Sequence, residues 1–274
     1  MDLRELLDTT ERLWPAAGAE AWDAVGLVVG DPEASVARVH LAVDPVAAVV
    51  DEALGIGADL IVAHHPLLLR GVTSVAESRY KGNLVARLVR ADCALLTAHT
   101  NADVVADGTS AILAARLGLV DATAIVPAAE PATGLGRIGT LAAPTTVADF
   151  AQVVAAELPA TTTGIRVAGE PGKPVRTVAV CGGAGDSLLG HPAVLGADVF
   201  VTADLRHHPA SESREQSLRA GGPALIDVSH WASESLWLEA AAAQLRAEHP
   251  ELIVTVSTVC TDPWDFIVRQ EEAK

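Results

Sequence analysis

Three short segments each end an apolar run with residues of the kind that bind divalent metals. They are IVAHHP with His64 and His65, TAHTNAD with His99 and Asp103, and DVSHWASE with His230 and Glu234. Four of the nine histidines lie in them, although the segments are spread over most of the chain. Imidazole and carboxylate together suit Zn, Mn, Fe, Co or Ni. Six such groups are too many for one tetrahedral ion that keeps an open position, and they suit two ions sharing a carboxylate. A site of this kind acidifies bound water and clamps an oxyanion, which is hydrolase chemistry.

Spacing adds direction. Adjacent strand residues point to opposite faces. His64 and His65 therefore share a site only if the chain turns there, as Pro66 favours, or if each serves its own ion. His230 and Glu234 are four apart at a helix start, on one face and one turn apart. His99 and Asp103 have the same spacing where a loop enters a helix. Singly, each group has a plain structural reading: a hydrogen-bonded core histidine, a helix N-cap for Asp103, a surface residue for Glu234. Together the three clusters favour a metal site.

Other segments carry less. CGGAGDS after a strand has backbone N–H groups for a phosphate, but it lacks a P-loop lysine, and tight turning explains it as well. TADLRHH offers Asp204, His207 and His208 as orienting partners, extra ligands or surface residues. Arg137 in GLGRIG, Arg79 and Lys81 are candidate contacts for an anionic substrate. His40, His191 and His249 have no comparable company.

These residues must be positioned by alternating strands and helices. Residues 36–44 read as a strand ending at Asp44, and residues 45–55 as a helix. ADLIVAHH reads as a strand, NLVARLVRAD as a helix, CALLTAHT as a strand and TSAILAARLGL as a helix. That order implies a largely parallel sheet, with ligands beyond the carboxyl ends of its strands. If the strands are parallel neighbours, Asp44, His64, His65, His99 and His230 share one edge. Residues 126–146, rich in Pro, Gly and Thr, read as a connection or lobe boundary. Beyond them the α/β pattern resumes. VADFAQVVAAELP is a helix, with strands near residues 164–168 and 175–181 and at ADVFVTAD. A helix near residues 209–220, the strand ALIDVS, a helix from Trp231 to about Glu248 and a final strand LIVTVST complete the chain.

The 274 residues, half of them hydrophobic, suffice for one large or two medium domains with a substantial core. A net charge of -16 disfavours non-specific nucleic-acid binding and an anionic membrane surface. Cys93, Cys181 and Cys260 are isolated, which disfavours a disulfide framework and reads as small buried hydrophobes. The segment MDLRELLDTTERLWP reads as an amphipathic helix ended by Pro15 rather than a signal peptide. No apolar run reaches membrane-spanning length. A cytoplasmic protein is expected.

The chain resembles the GTP cyclohydrolase 1 type 2 homologues, the NIF-three-like dinuclear-metal-centre hexameric proteins. The resemblance runs in order through AWDAVGLVVGD, VHLAVDP, GADLIVAHHPLLLRGV, LLTAHTNAD, GLGRIGTL, VAVCGGAGDSL, GADVFVTADL, IDVSHWASE and TDPW. It implies that His64, His65, Asp103, His230 and Glu234 are metal ligands. Glu234 would be shared by two ions, and Asp103 would serve one or both. His99 falls in or beside the site, as the catalytic candidate that moves protons. The implied fold is two α/β lobes with mixed, largely parallel sheets and the metals in the cleft between them. Residues 1–125 would form one lobe and 126–274 the other, with residues from about 225 returning His230 and Glu234 to the cleft. The implied assembly is a toroidal homohexamer. The implied substrate is a small molecule, a nucleotide such as GTP, opened at its imidazole ring with release of formate. Other readings are a different metal-dependent phosphoester hydrolase and a non-catalytic metal-binding or regulatory protein. The sequence departs from the family at Ala24, where Asn is usual, and at Ala203 and Ser229, where Gly is usual.

Overall fold

The computed structural model describes residues 1–130 and 132–268. In chain order the strands are β1 (Gly26–Val29), β2 (Arg38–Ala42), β3 (Leu60–Ala63), β4 (Ala94–Thr97), β5 (Leu119–Thr123), β6 (Val126–Pro127), β7 (Gly134–Leu135), β8 (Arg137–Thr146), β9 (Arg166–Ala168), β10 (Pro174–Ala184), β11 (Val199–Ala203), β12 (Ala224–Val228) and β13 (Ile253–Val256). The helices are α1 (Leu3–Leu13), α2 (Ala47–Gly55), α3 (Tyr80–Arg90), α4 (Thr100–Asp103), α5 (Thr109–Arg116), α6 (Val147–Glu157), α7 (Pro192–Leu195), α8 (His207–Ala220), α9 (His230–Ser235) and α10 (Trp237–Glu248). The architecture is α/β with mostly parallel sheets, as the alternating pattern implies. Among the described residues no helix is long and apolar enough to cross a membrane.

The chain divides into two compact units. The first comprises Met1–Thr109, Ala128–Gly134 and Trp237–Thr261, and the second comprises Ser110–Pro127, Leu135–Leu236 and the residues from Asp262. The division is discontinuous in sequence and does not coincide with the textural break at residue 126. Strand pairing explains both differences. The late strand β13 pairs in parallel with β2, Ile253 opposite Arg38, so the end of the chain completes the first sheet. The early strand β5 pairs with β8 and belongs to the second.

The first unit's five-stranded sheet has the order β1-β4-β3-β2-β13. β2, β3, β4 and β13 are parallel, and β1 runs antiparallel beside β4. All four residues of β3 are buried, as expected for a central parallel strand covered on both faces. Ile61 and Ala63 pack with Val50, Leu84, Leu88 and Leu95. α1 starts at an Asp2 cap, which accepts from the Glu5 N–H at 2.9 Å.

The second unit's six-stranded sheet has the order β5-β8-β10-β11-β12-β9. β10, β11 and β12 are parallel, while β8 and β9 flank them antiparallel. Period-two alternation splits this core. Val178, Val180, Val199 and Val201 face Phe150 and Val154 of α6. Ala179, Cys181 and Phe200 join Leu188 and Val194 on the other face.

Three sequence expectations change here. Residues 126–146 are not simply a connection, because they contain the ten-residue strand β8, paired on both sides. Its small residues fit a tightly packed interior strand, with Gly139 so close to Val120 and Ala122 that a Cβ would collide. The single helix expected from Trp231 is two, α9 and α10, broken at Leu236, where the chain leaves one unit for the other. β12 lies in the second sheet, so His230 does not share a sheet edge with His64 and His99.

Candidate metal centre

In the first unit the register aligns Ala42, Ala63 and Thr97 at the carboxyl ends of three parallel strands. Asp44, His64, His65 and His99 follow directly. The backbone ladder continues past the strands: His64 N donates to Ala42 O at 2.9 Å, His65 N to Val43 O at 2.8 Å and Ala98 N to Ala63 O at 3.0 Å. The chain bends at His64 and His65 rather than continuing the pleat. This is the turn that lets neighbouring side chains gather. One nitrogen each of His64, His65 and His99 lies within 4.8 Å of the others. Asp103 closes the one-turn helix α4, with Oδ1 3.7 Å from His64 Nε2. The Thr109 hydroxyl donates to the same oxygen.

Each of these rings is held from behind. Nδ1 of the fully buried His64 bonds the Ala98 carbonyl at 2.9 Å. Nδ1 of His65 bonds Asp44 Oδ1 at 2.7 Å, and Nδ1 of His99 bonds Asp23 Oδ1 at 2.8 Å. A carbonyl or carboxylate only accepts, so a proton sits on Nδ1 and Nε2 is the nitrogen that could face a metal. Burial and the neighbouring His64 push the His99 pKa below its ordinary value against the pull of Asp23. Trp237 at the start of α10 packs its ring 5.4 Å from that of His64.

In the second unit the same construction recurs at the ends of β10, β11 and β12. His230 opens α9, whose N-cap Ser229 accepts from the Ala232 N–H at 3.2 Å. Glu234 lies one turn on, buried, with Oε1 3.0 Å from His230 Nε2. Nδ1 of His230 bonds Asp204 Oδ2 at 2.8 Å. Burial pushes the His230 pKa down, but Glu234 and Asp204 outweigh it and hold it up at about 11 without a metal. Gly183 lies against the pair with φ +67°, and a Cβ there would sit 2.4 Å from Glu234 Oε1. Its N–H donates to Ser233 Oγ at 2.9 Å, and its carbonyl accepts from Thr202 Oγ1 at 3.0 Å. The glycines of CGGAGDS thus end β10 and admit close backbone approach to the ligands.

The structure therefore gathers His64, His65, His99 and Asp103 in the first unit, and His230 with Glu234 in the second. Asp204 is the orienting partner of His230. His207 and His208 open α8 as exposed residues and belong to no group of three metal-competent ligands among the described residues. Arg137 is buried on β8 and donates to the Gly136 carbonyl at 2.8 Å, while Arg79 is exposed at the start of α3. His40 bonds Thr255 and Glu52, so it is a structural histidine. Cys93 and Cys181 are buried, but Cys260 is exposed, unlike the buried hydrophobe expected. Sequence reading set Asp44 at the strand edge without pairing it to His65, and it overlooked Asp23 and Gly183 as parts of the ligand environment. A carboxylate following each strand of an α/β pattern was the available signal for Asp44, but none marked Asp23 as a histidine partner.

Two α/β units, each with oriented imidazole and carboxylate at the carboxyl edge of three parallel strands, thus offer side chains that could hold a metal ion. The family model for Duf34/NIF3 (NGG1p interacting factor 3) matches residues 1–263, and the chain belongs to that family. It is 52% identical over 269 residues to a GTP cyclohydrolase 1 type 2 homolog of Streptomyces coelicolor, covering 96% of this chain and 93% of that one. It is 36% identical to the homolog of Mycobacterium leprae, covering 98% of this chain and 96% of that one. A crystal structure of a Staphylococcus aureus hypothetical protein superposes with a TM-score of 0.87 at 28% identity, over 97% of this chain and 99% of that one.

Proposed function

We propose that this protein is a divalent-metal-dependent hydrolase whose metal ligands are His64, His65, Asp103, His230 and Glu234, with Glu234 shared by two ions. The observation that carries this reading is the shared orientation of His64, His65 and His230, each with Nδ1 bonded to an oxygen so that Nε2 is the nitrogen presented to a metal. The donor set fits Zn, Mn, Fe, Co or Ni. When bound, such ions supply Lewis acidity, an acidified water and positive charge for an anionic substrate in a chain of net charge -16.

His99 acts as the proton carrier. Its lowered pKa keeps the ring neutral at pH 7 and able to accept a proton, and Asp23 fixes which nitrogen does so. The relatives bear the name GTP cyclohydrolase 1 type 2 homolog, so a nucleotide such as GTP is the first substrate to test, with ring opening and formate release. The family resemblance also supports assembly as a toroidal homohexamer.

Metal content by mass spectrometry tests the centre. Wild type should carry more metal than Glu234→Ala, and less than one ion per chain in both under replete conditions overturns the two-metal reading. Formate release from GTP, followed with each metal added back, tests the reaction. Rates that loss of His65 leaves unchanged remove the cyclohydrolase reading. A metal-loaded protein inert toward a nucleotide and phosphoester panel is a non-catalytic metal binder.

A further inference from the structure

Two residues adjacent in the chain each brace one of the ligand sets. In the first unit the Thr261 hydroxyl donates to Asp44 Oδ2. The other oxygen of that carboxylate, Oδ1, takes the His65 Nδ1 proton at 2.7 Å. In the second unit Ser229 Oγ donates to Asp262 Oδ1 at 2.6 Å while accepting from the Ala232 N–H at 3.2 Å. Ser229 is buried and immediately precedes His230. A glycine at this position could make neither side-chain bond.

We propose that Thr261 and Asp262 are positioning residues of the metal centre, Thr261 acting on His65 through Asp44 and Asp262 acting on His230 and Glu234 through the cap of α9. The inference rests on the proposed metal ligation but not on hydrolysis. A carboxylate bound through one oxygen alone can rotate about its Cβ–Cγ bond. The Thr261 hydroxyl on the second oxygen fixes its plane, and with it the direction in which the His65 ring presents Nε2. The cap works in the same way. Ser229 can receive the Ala232 N–H only with its hydroxyl turned inward, and Asp262 holds the hydroxyl proton away from that N–H. The first turn of α9, which carries His230 and ends near Glu234, is then kept from fraying. Because Thr261 and Asp262 are consecutive, displacement of this one segment loosens both sets together.

The test uses the full chain and Co(II) alone, read by its visible spectrum and by competition against a chromogenic chelator. The melting temperature of the metal-free protein is measured alongside. Thr261→Val and Asp262→Ala should each bind Co(II) about 10–100-fold more weakly with an altered spectrum. Thr261→Ser, which keeps the hydroxyl, should restore both. If Asp262→Ala fails to fold, Ser229→Gly removes the same bond and leaves a residue tolerated at an N-cap. Wild-type affinity and spectrum in Thr261→Val and in the folded member of the second pair overturn the proposal, even if melting shifts. A defect that Thr261→Ser does not restore overturns the role of Thr261. A wild-type protein that takes up no Co(II) instead defeats the metal reading itself, and one that binds Co(II) without hydrolysing any substrate leaves this proposal standing.

Discussion

Asp204 accepts the Nδ1 proton of His230 across 2.8 Å from a left-handed backbone, with φ +57°. A residue other than glycine in that conformation is uncommon, although Asp tolerates it better than most. The backbone that a glycine would adopt more readily is thus occupied by the side chain that sets the His230 tautomer. Asp204→Gly should relieve up to about 1 kcal/mol of conformational strain. It should also weaken metal binding about 10–100-fold by releasing the ring. In the metal-free protein the lost Asp204–His230 bond offsets that relief, so the urea midpoint should move little while the metal titration shows the loss.

Gly183→Ala tests the close approach at the end of β10. The new methyl would meet Glu234 Oε1 at 2.4 Å and His230 Nε2 at 3.1 Å, on a backbone with φ +67°. The expected cost is about 1–2 kcal/mol in the metal-free protein from the backbone conformation alone. Displacement of Glu234 should reduce bound metal, as measured by mass spectrometry. Unchanged stability and metal content would show that the turn relaxes without disturbing the ligands.

Trp237 joins the first unit's core to its ligand set. It is 1% exposed, 5.2 Å from the Trp14 ring and 5.4 Å from the His64 ring. Trp237→Ala should cost about 3–5 kcal/mol, read as a lower urea midpoint. Trp237→Phe should cost less and keep metal affinity within a few-fold, because an aromatic face still backs His64.

Glu52 sets part of the acid limb of stability. Burial alone would raise its carboxyl pKa, but the Ser257 hydroxyl and the His40 ring outweigh burial and hold it below the ordinary 4.5. A carboxyl depressed on folding contributes stability that is fully present above its unfolded value and is lost as pH falls through the lower folded one. Glu52→Gln should cost about 1 kcal/mol at neutral pH. Its deficit relative to wild type should shrink as pH drops below about 4. Urea midpoints of both metal-free proteins across this range provide the measurement, and a deficit that persists in acid would mean that Glu52 acts by packing.

The sequence by itself determined the α/β class, because buried parallel strands such as LIVA read as unbroken apolar runs between helical patterns. It also determined the candidate ligands, because a His-His pair, a His-Asn-Asp-rich turn and an i,i+4 His-Glu pair are local and need no partner to be seen. The i,i+4 geometry of His230 and Glu234 and the bend at His64 and His65 follow from backbone rules that short-range sequence expresses. The antiparallel edge strand β1 was invisible because VGLVVGD has neither the length nor the alternation to announce a strand. β8 was hidden by the Pro and Thr content at its far end.

Only the tertiary structure decided how the strands are shared out. It placed β12 and His230 in a different sheet from His64, and it returned β13 from the end of the chain to the first sheet, beside β2. It also decided what stands behind each ring: Ala98 O, Asp44, Asp23 and Asp204 for His64, His65, His99 and His230. Those partners lie between 21 and 76 residues away in sequence. The reason is physical. A ligand's identity is a property of one side chain, but its orientation comes from hydrogen bonds to groups that only sheet register and crossover connections bring within reach.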